Sequence, residues 1–302
     1  PLLLYGTMPA KGVKPMSYIN ENDRHYIENK YHRTDEAFDP FDRLNYHGYE
    51  YDASTGLDDA QMHDALEALF ERTRALPHAL AKAKGFAFVL DNARIDISPN
   101  DYFFGLYNWA RPLTKTFLSK WNKEVFDTMP DIKELMHDYN VSGTAELWLD
   151  TEHAVPYWVD ILKLGFPGLL ERVRKYHESC ADLTPEKRAF YQAMETEYEA
   201  ILHFLSRLAD YADAHPSEKS ARIAAALRSI RTGAPQSTFE ALQVMYTYHA
   251  CSEYVECYQA RSLGNGLDRS LYAFWKRDIE TGTFTRGEIK GFLAYFLLQF
   301  SA

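Results

Sequence analysis

Apolar residues first fall into a sustained rhythm just after Asp58, where Met62, Ala65, Leu66, Leu69, Phe70 and Thr73 recur at three and four residues and predict a helix. Leu80, Ala83, Phe86, Ala87 and Leu90 continue the same spacing and predict a second helix over 78–91. The alternating Ile95-Asp96-Ile97-Ser98-Pro99 then reads as a short strand or extended link, stopped by its proline. Three aromatics beside a glycine follow, in Tyr102-Phe103-Phe104-Gly105, a composition suited to close packing. Pro156 opens a further amphipathic helix. Thr184-Pro185 pairs a cap with proline at the first helical position and starts a long helix to about Ala214, broken by His215-Pro216. Another helix spans 217–231. Ser237-Thr238-Phe239-Glu240 and Thr285-Arg286-Gly287-Glu288 are capping boxes that open helices over 238–256 and toward the end of the chain. Residues 1–56, rich in Tyr, Asp, Asn, Gly and Pro, keep no period and read as an irregular arm. No repeat, low-complexity tract or Gly/Ser/Pro linker divides the remainder, so 57–302 reads as one domain or part of one, mostly helical.

Composition narrows the class. Over 302 residues, 46% are hydrophobic and 25% charged, the balance of a globular protein with ample core. A net charge of −10 and the lack of any run of five basic residues exclude a nucleic-acid surface. Apolar runs are too short to span a bilayer, and Pro1-Leu2-Leu3-Leu4-Tyr5 is too short for a signal-peptide core. Three cysteines in a chain of this length fit a reducing compartment, read here as the cytoplasm. The chain begins with Pro and stops inside an apolar helical pattern, so it reads as cut from something longer. The last helix, with Phe292, Leu293, Tyr295, Phe296, Leu297, Leu298 and Phe300, is expected to expose a large apolar face.

The candidate chemistry is concentrated in two places. Glu152-His153, just before Pro156, sets a carboxylate beside an imidazole at a helix entrance; imidazole can exchange a proton with a substrate near neutrality, or simply cap the helix. Ser262-Leu263-Gly264-Asn265-Gly266 reads as a tight turn needing positive φ, with Asp268 as the cap of the helix beyond it. His249, Cys251 and Cys257 fit no recognised zinc spacing and supply too few ligands for a closed site, so no metal is assigned. The stripe Leu242, Met245, Tyr246, His249, Ser252, Glu253 reads as one half-buried helix. No Gly-x-Gly-x-x-Gly, Walker loop or Gly-x-Ser-x-Gly elbow is present.

Taken in order, several segments resemble the amino-terminal part of the pyruvate formate-lyase-like domain of glycyl radical enzymes. The helix from Phe70 to Asn92, followed by Ile95-Asp96-Ile97-Ser98-Pro99-Asn100-Asp101 and Gly105, resembles that family's helix and Ile-x-Ile-x-Pro-x-Asp stretch. His153-Ala154-Val155-Pro156-Tyr157 with Ile161-Leu162 and Gly165 resembles its His-x-x-Pro-x-Tyr segment. Pro235, Phe239-Glu240-Ala241 and Gln243 resemble a third segment. Gly264, Asp268, Leu271-Tyr272, Asp278, Gly282 and Thr285 resemble a fourth. The likeness covers about residues 60–300.

The resemblance implies an α/β fold, predominantly helical in this fragment, forming part of a ten-stranded β/α barrel of the pyruvate formate-lyase type. It implies a lyase that cleaves a C–C, C–O, C–N or C–S bond of a small substrate by thiyl-initiated hydrogen abstraction under anaerobic conditions. The glycyl radical would be installed by an S-adenosylmethionine iron–sulfur activating enzyme. That enzyme, the rest of the polypeptide and a second copy of the chain are the expected partners. His153 matches a histidine that contacts a substrate hydroxyl in diol-dehydratase relatives, although Glu152 replaces the usual glycine. Tyr258-Gln259-Ala260 stands where those relatives carry Gly-His-Ser. Glu152, His153, Tyr258 and Gln259 are therefore the candidate substrate contacts, and the changes point away from an ordinary glycerol or propanediol dehydratase. Neither an Arg-Val-x-Gly-Tyr-like radical motif nor a Gly-Cys-Val-Glu-like loop occurs. Cys251-Ser252-Glu253 has the Cys-x-Glu spacing but precedes the Gly264 segment, so Cys251 is rejected as the thiyl cysteine, and no catalytic residue is assigned in this chain. The alternatives are a formate C-acetyltransferase-type enzyme and a non-catalytic helical binding or scaffold protein derived from the domain.

Overall fold

The computed structural model describes residues 53–95, 101–105, 112–144, 155–255, 263–264 and 266–300. Asp58 accepts from the Gln61 amide at 2.9 Å while Gln61 reaches back to the Asp58 N–H at 3.1 Å, a reciprocal cap that starts α1 (Asp59–Thr73). Met62, Leu66 and Phe70 form its buried face. α2 (His78–Asn92) follows, with Phe86, Val89 and Leu90 buried. A π-helical turn (Thr114–Leu118) runs into α3 (Ser119–Asp127), and Phe117 from this stretch packs edge-on against Phe70 and Trp121, while Trp121 meets Phe70 at a tilt. α4 (Pro130–Ser142) has proline at its first position and Gly143 in the left-handed conformation at its end, yet buries no residue.

The core is built around α6 (Pro185–Ala214), whose N-terminus is capped by Thr184 accepting from the Lys187 amide at 3.3 Å. It packs along α2, α5 (Trp158–Ser179) and α7 (Ser220–Thr232) through Phe204, Leu205 and Leu208, all fully buried. Arg207, on α6, binds backbone rather than a carboxylate: it donates to the carbonyls of Thr55 and Ala93 at 2.9 Å each, and to that of Leu90. This guanidinium gathers the end of α2 and the strand-like crossing of Leu57 with Ala93 into one corner. Burial holds its pKa below the usual arginine range, partly countered by Asp91.

α8 (Thr238–His249) departs from the expected half-buried stripe. Phe239, Leu242, Gln243, Val244, Met245, Tyr246, Thr247 and His249 are all buried, so the helix is enclosed on every side. Its start is doubly held. Ser237 accepts from the Glu240 amide at 3.2 Å, and the buried Asp278 carboxylate of α9 (Leu267–Thr281) accepts from the Thr238 amide at 2.7 Å. Glu240 does reach back, but to the Gln236 N–H rather than to Ser237. After His249 the chain widens into a π-helical turn, Ala250–Val255.

Three further expectations are corrected. The helix after Pro156 begins at Trp158 and is broken at Gly165. Asp268 lies inside the first turn of α9, whose N-cap is Gly266 at φ +70°, so the cap is a backbone conformation and not a carboxylate. The face of α10 (Arg286–Phe300) expected to be exposed is covered only in part, with Leu297 half exposed. Phe292, Tyr295 and Phe296 are buried, with Tyr295 stacked on Tyr102 at 4.0 Å between ring centres and Phe296 edge-on to Phe103. Its capping box is as expected, with Thr285 and Glu288 exchanging backbone bonds at 2.8 and 3.2 Å. Apart from the isolated Leu57–Ala93 bridge, the described residues form helices and turns, with no strand among them.

Candidate functional site

The segments singled out by sequence meet at α8. Gln243 lies wholly buried and makes two bonds with one residue of the Asp101–Gly105 segment: it accepts from the Phe104 N–H at 3.0 Å and donates to the Phe104 carbonyl at 2.8 Å. A side-chain amide thus does the work of a neighbouring strand for an isolated stretch of backbone. Gly105 closes this contact, since a Cβ there would lie 2.9 Å from the Tyr246 ring.

On the other side of α8, the buried Trp158 indole N–H donates to the Leu263 carbonyl at 2.6 Å, a bond spanning 105 positions. The next residue, Gly264, has φ +94°, and a Cβ on it would come within 2.2 Å of the indole nitrogen. The expected positive-φ turn is therefore also a place where backbone and indole touch. Trp158 is edge-on to Tyr248 and His249, at 5.3 and 5.6 Å between ring centres. Burial lowers the His249 pKa to about 4, so this imidazole is neutral at physiological pH.

Beside this joint is a cavity of about 290 Å³. Its apolar wall comes from Phe86, Ile161, Phe166, Leu169, Met194 and Ile201. Its polar rim comes from Tyr157, Asp160 and Arg172, from Glu197 and Tyr198 of α6, and from Tyr248, Cys251 and Ser252 around the π-helical turn. Asp160 accepts from Arg172 at 2.6 Å, and that bond raises the arginine pKa against the opposing effect of burial. Burial likewise raises the Tyr198 phenol, keeping it protonated.

α5 can shape this cavity because Gly165 interrupts it. Gly165 has φ +63° and ψ 175°, a conformation open to glycine almost alone, and a Cβ there would lie 2.8 Å from the Gly233 carbonyl oxygen. Sequence reasoning saw Gly165 only as part of a resemblance. Pro167, two residues on, was the available signal for a break.

Glu152, His153, Tyr258 and Gln259 lie outside the described residues. Of the residues flanking them, Tyr157 and Trp158 on one side and Leu263 and Gly264 on the other belong to the cavity rim or the joint described above. Cys251 is buried in a π-helical turn. Among the described residues, no three His, Cys, Asp or Glu side chains are gathered to hold a metal ion, and no helix is long and apolar enough to cross a membrane.

A family model described as pyruvate formate lyase-like matches residues 113–302. The 4-hydroxyphenylacetate decarboxylase glycyl radical subunit of Clostridioides difficile is 21% identical over 222 residues, covering 65% of this chain and 24% of that protein. The (2S)-3-sulfopropanediol dehydratase of Klebsiella oxytoca is 26% identical over 160 residues, covering 49% and 18% respectively. Among solved structures, hydroxyproline dehydratase from Clostridioides difficile, with trans-4-hydroxy-L-proline bound, superposes with a TM-score of 0.63 at 15% identity. That superposition covers 86% of this chain and 40% of the other. The chain thus spans less than a quarter of the length of these two curated relatives, 24% and 18%.

Proposed function

The chain belongs to the pyruvate formate lyase-like family of glycyl radical enzymes, and from that premise we propose that it forms the substrate-pocket half of a lyase acting on a small molecule. In this reading residues 57–302 are the amino-terminal part of the family's domain, contributing helices to a ten-stranded β/α barrel, and residues 1–56 are an arm upon it. The reaction is cleavage of a C–C, C–O, C–N or C–S bond, begun by hydrogen abstraction at a thiyl. Glu152 and His153 from one segment, with Tyr258 and Gln259 from the other, contact the substrate. The observation that supports this most is the bond from Trp158 to Leu263, because it fixes the segment following His153 against the segment following Gln259.

The radical machinery finds no fit in these residues. The glycyl motif does not occur in the sequence, and the buried Cys251 sits within a helical turn rather than on a loop. No step of the radical chemistry is therefore assigned to a residue of this chain. A glycyl radical and its S-adenosylmethionine-dependent activating enzyme belong to the complete enzyme, in a reducing and oxygen-poor cytoplasm.

The test is activation of the natural gene product without oxygen, followed by electron paramagnetic resonance. A glycyl doublet, together with turnover lost on His153→Ala while the doublet persists, supports the pocket reading. Absence of the doublet overturns it in favour of a non-catalytic binding protein.

A further inference from the structure

We propose that the exposed aromatic and basic face of α9 is the docking site for residues 35–42 of this chain's own amino-terminal arm. The proposal does not rest on the radical reading, because it uses only surface side chains and their charges.

The face is built from α9 and the first turn of α10. Tyr272, 58% exposed, stacks on Trp275 at 5.8 Å between ring centres, and the exposed Arg286 lies over the Trp275 ring at 5.7 Å. Arg269 and Lys276, both exposed, flank Tyr272 at helical spacing, three residues before it and four after. Neither Arg269 nor Arg286 has a carboxylate partner among the described residues. The acidic side chains of α9 are otherwise engaged. Asp278 is buried on the Thr238 amide, Glu280 meets Lys276 at 3.7 Å, and Asp268 stands in the first turn, where the helix's own positive end favours it. Stacked rings in water beside guanidinium groups that lack carboxylates, on a chain of net charge −10, form a surface complementary to an acidic segment.

The arm carries that complement. Asp35-Glu36-Ala37-Phe38-Asp39-Pro40-Phe41-Asp42 sets four carboxylates and two phenylalanines in eight residues, with no basic side chain. Its carboxylates suit Arg269, Lys276 and Arg286, and its rings suit Tyr272 and Trp275.

Reach permits the contact. α5 and α6 run antiparallel, since His177 pairs with Glu195 and Arg174 with Glu199. Arg207 lies beyond both pairs, toward the start of α5, and there holds the Thr55 carbonyl. Trp158, at that same start, is bonded to Leu263, four residues ahead of α9. α6, α5 and α9 are successive neighbours, so about 20 Å separates this corner from α9. Residues 43–52, which join the segment to Ala53, span up to about 33 Å.

The test is a zero-length carbodiimide cross-link on the natural gene product, which joins an amine to a carboxylate only where the two touch, read by peptide mass spectrometry. A link from Lys276 to Asp35, Glu36, Asp39 or Asp42 within one molecule is the expected result. It should be lost when Arg269→Glu and Arg286→Glu are combined. Adding Asp39→Lys and Asp42→Lys to that variant should restore a link, now with amine and carboxylate exchanged. Trypsin reads the same contact: cleavage after Arg43 should speed up at least tenfold in the double variant and in high salt. Absence of the link with Arg43 cleavage insensitive to salt would overturn the proposal. So would a link found only between isotopically distinct copies, or Lys276 joined to some other segment, since each gives the face a different occupant. The link is read on the unsubstituted chain, so it decides even if a variant fails to fold.

Discussion

Asp160 and Arg172 are twelve positions apart on α5 and touch at 2.6 Å. In an unbroken helix, twelve residues rise about 18 Å, so no such contact could form. It exists because Gly165 turns the first seven residues of α5 away from the axis of the rest. The ion pair therefore reports the break; it does not make it.

The two effects differ in size. Both partners are more than a third exposed, so Arg172→Met should cost no more than about 1 kcal/mol. Gly165→Ala forces a side chain into a conformation reserved for glycine and against the Gly233 carbonyl. Its expected cost is roughly 2 kcal/mol or more. Denaturant unfolding of both variants checks the order, and a larger loss for Arg172→Met would refute it.

Trp158 and Gly264 should be energetically coupled. Trp158→Phe removes one hydrogen bond, at about 1 kcal/mol. Gly264→Ala alone drives a methyl into the indole, but in the Trp158→Phe background much of that clash is relieved. A double-mutant cycle is expected to give a coupling of at least about 1 kcal/mol. Additivity within a few tenths would show that the two residues do not meet.

Gln243 holds both backbone groups of Phe104 in a buried site. Gln243→Met keeps the volume but leaves a donor and an acceptor without partners, at roughly 1–3 kcal/mol each. The expected signature is a large drop in stability with faster amide exchange across residues 101–105. Unchanged exchange there would place the Phe104 bonds elsewhere.

His249 predicts a pH dependence. Its folded pKa of about 4 lies below the ordinary 6.5, so the unfolded chain takes up a proton first as pH falls. The stability contribution is fully present above pH 6.5 and is lost progressively down to about pH 4, up to roughly 3 kcal/mol. His249→Phe, which cannot titrate, should flatten unfolding free energy over that window. An unchanged slope would assign the dependence to other groups.

The local signals at Thr184, Ser237 and Thr285 are legible in the sequence because each acts within one helical turn, whereas Asp268 yields its place as cap to Gly266. The caps at Thr184 and Thr285 and the start of α8 at Ser237 stand where expected. The helix expected over 78–91 ends at Asn92, one residue on, and that over 217–231 became Ser220–Thr232. Pro130 and Gly143 bracket α4 in the same way and could have revealed it, but its lack of an apolar face gave no period to follow.

Composition, helical periodicity and the ordered motifs by themselves determined a mainly helical chain and the segments that matter within it. Tertiary structure alone decided how those segments meet: Trp158 with Leu263, Gln243 with Phe104 and Asp278 with Thr238 are 105, 139 and 40 positions apart. It also decided that α8 is enclosed on all sides, which no stripe can show, because periodicity records one buried face and fades when every face is buried. The cavity has the same origin. Its wall needs a break at Gly165 that depends on the backbone of Gly233, and a contact across 68 positions has no expression in the local pattern of either residue.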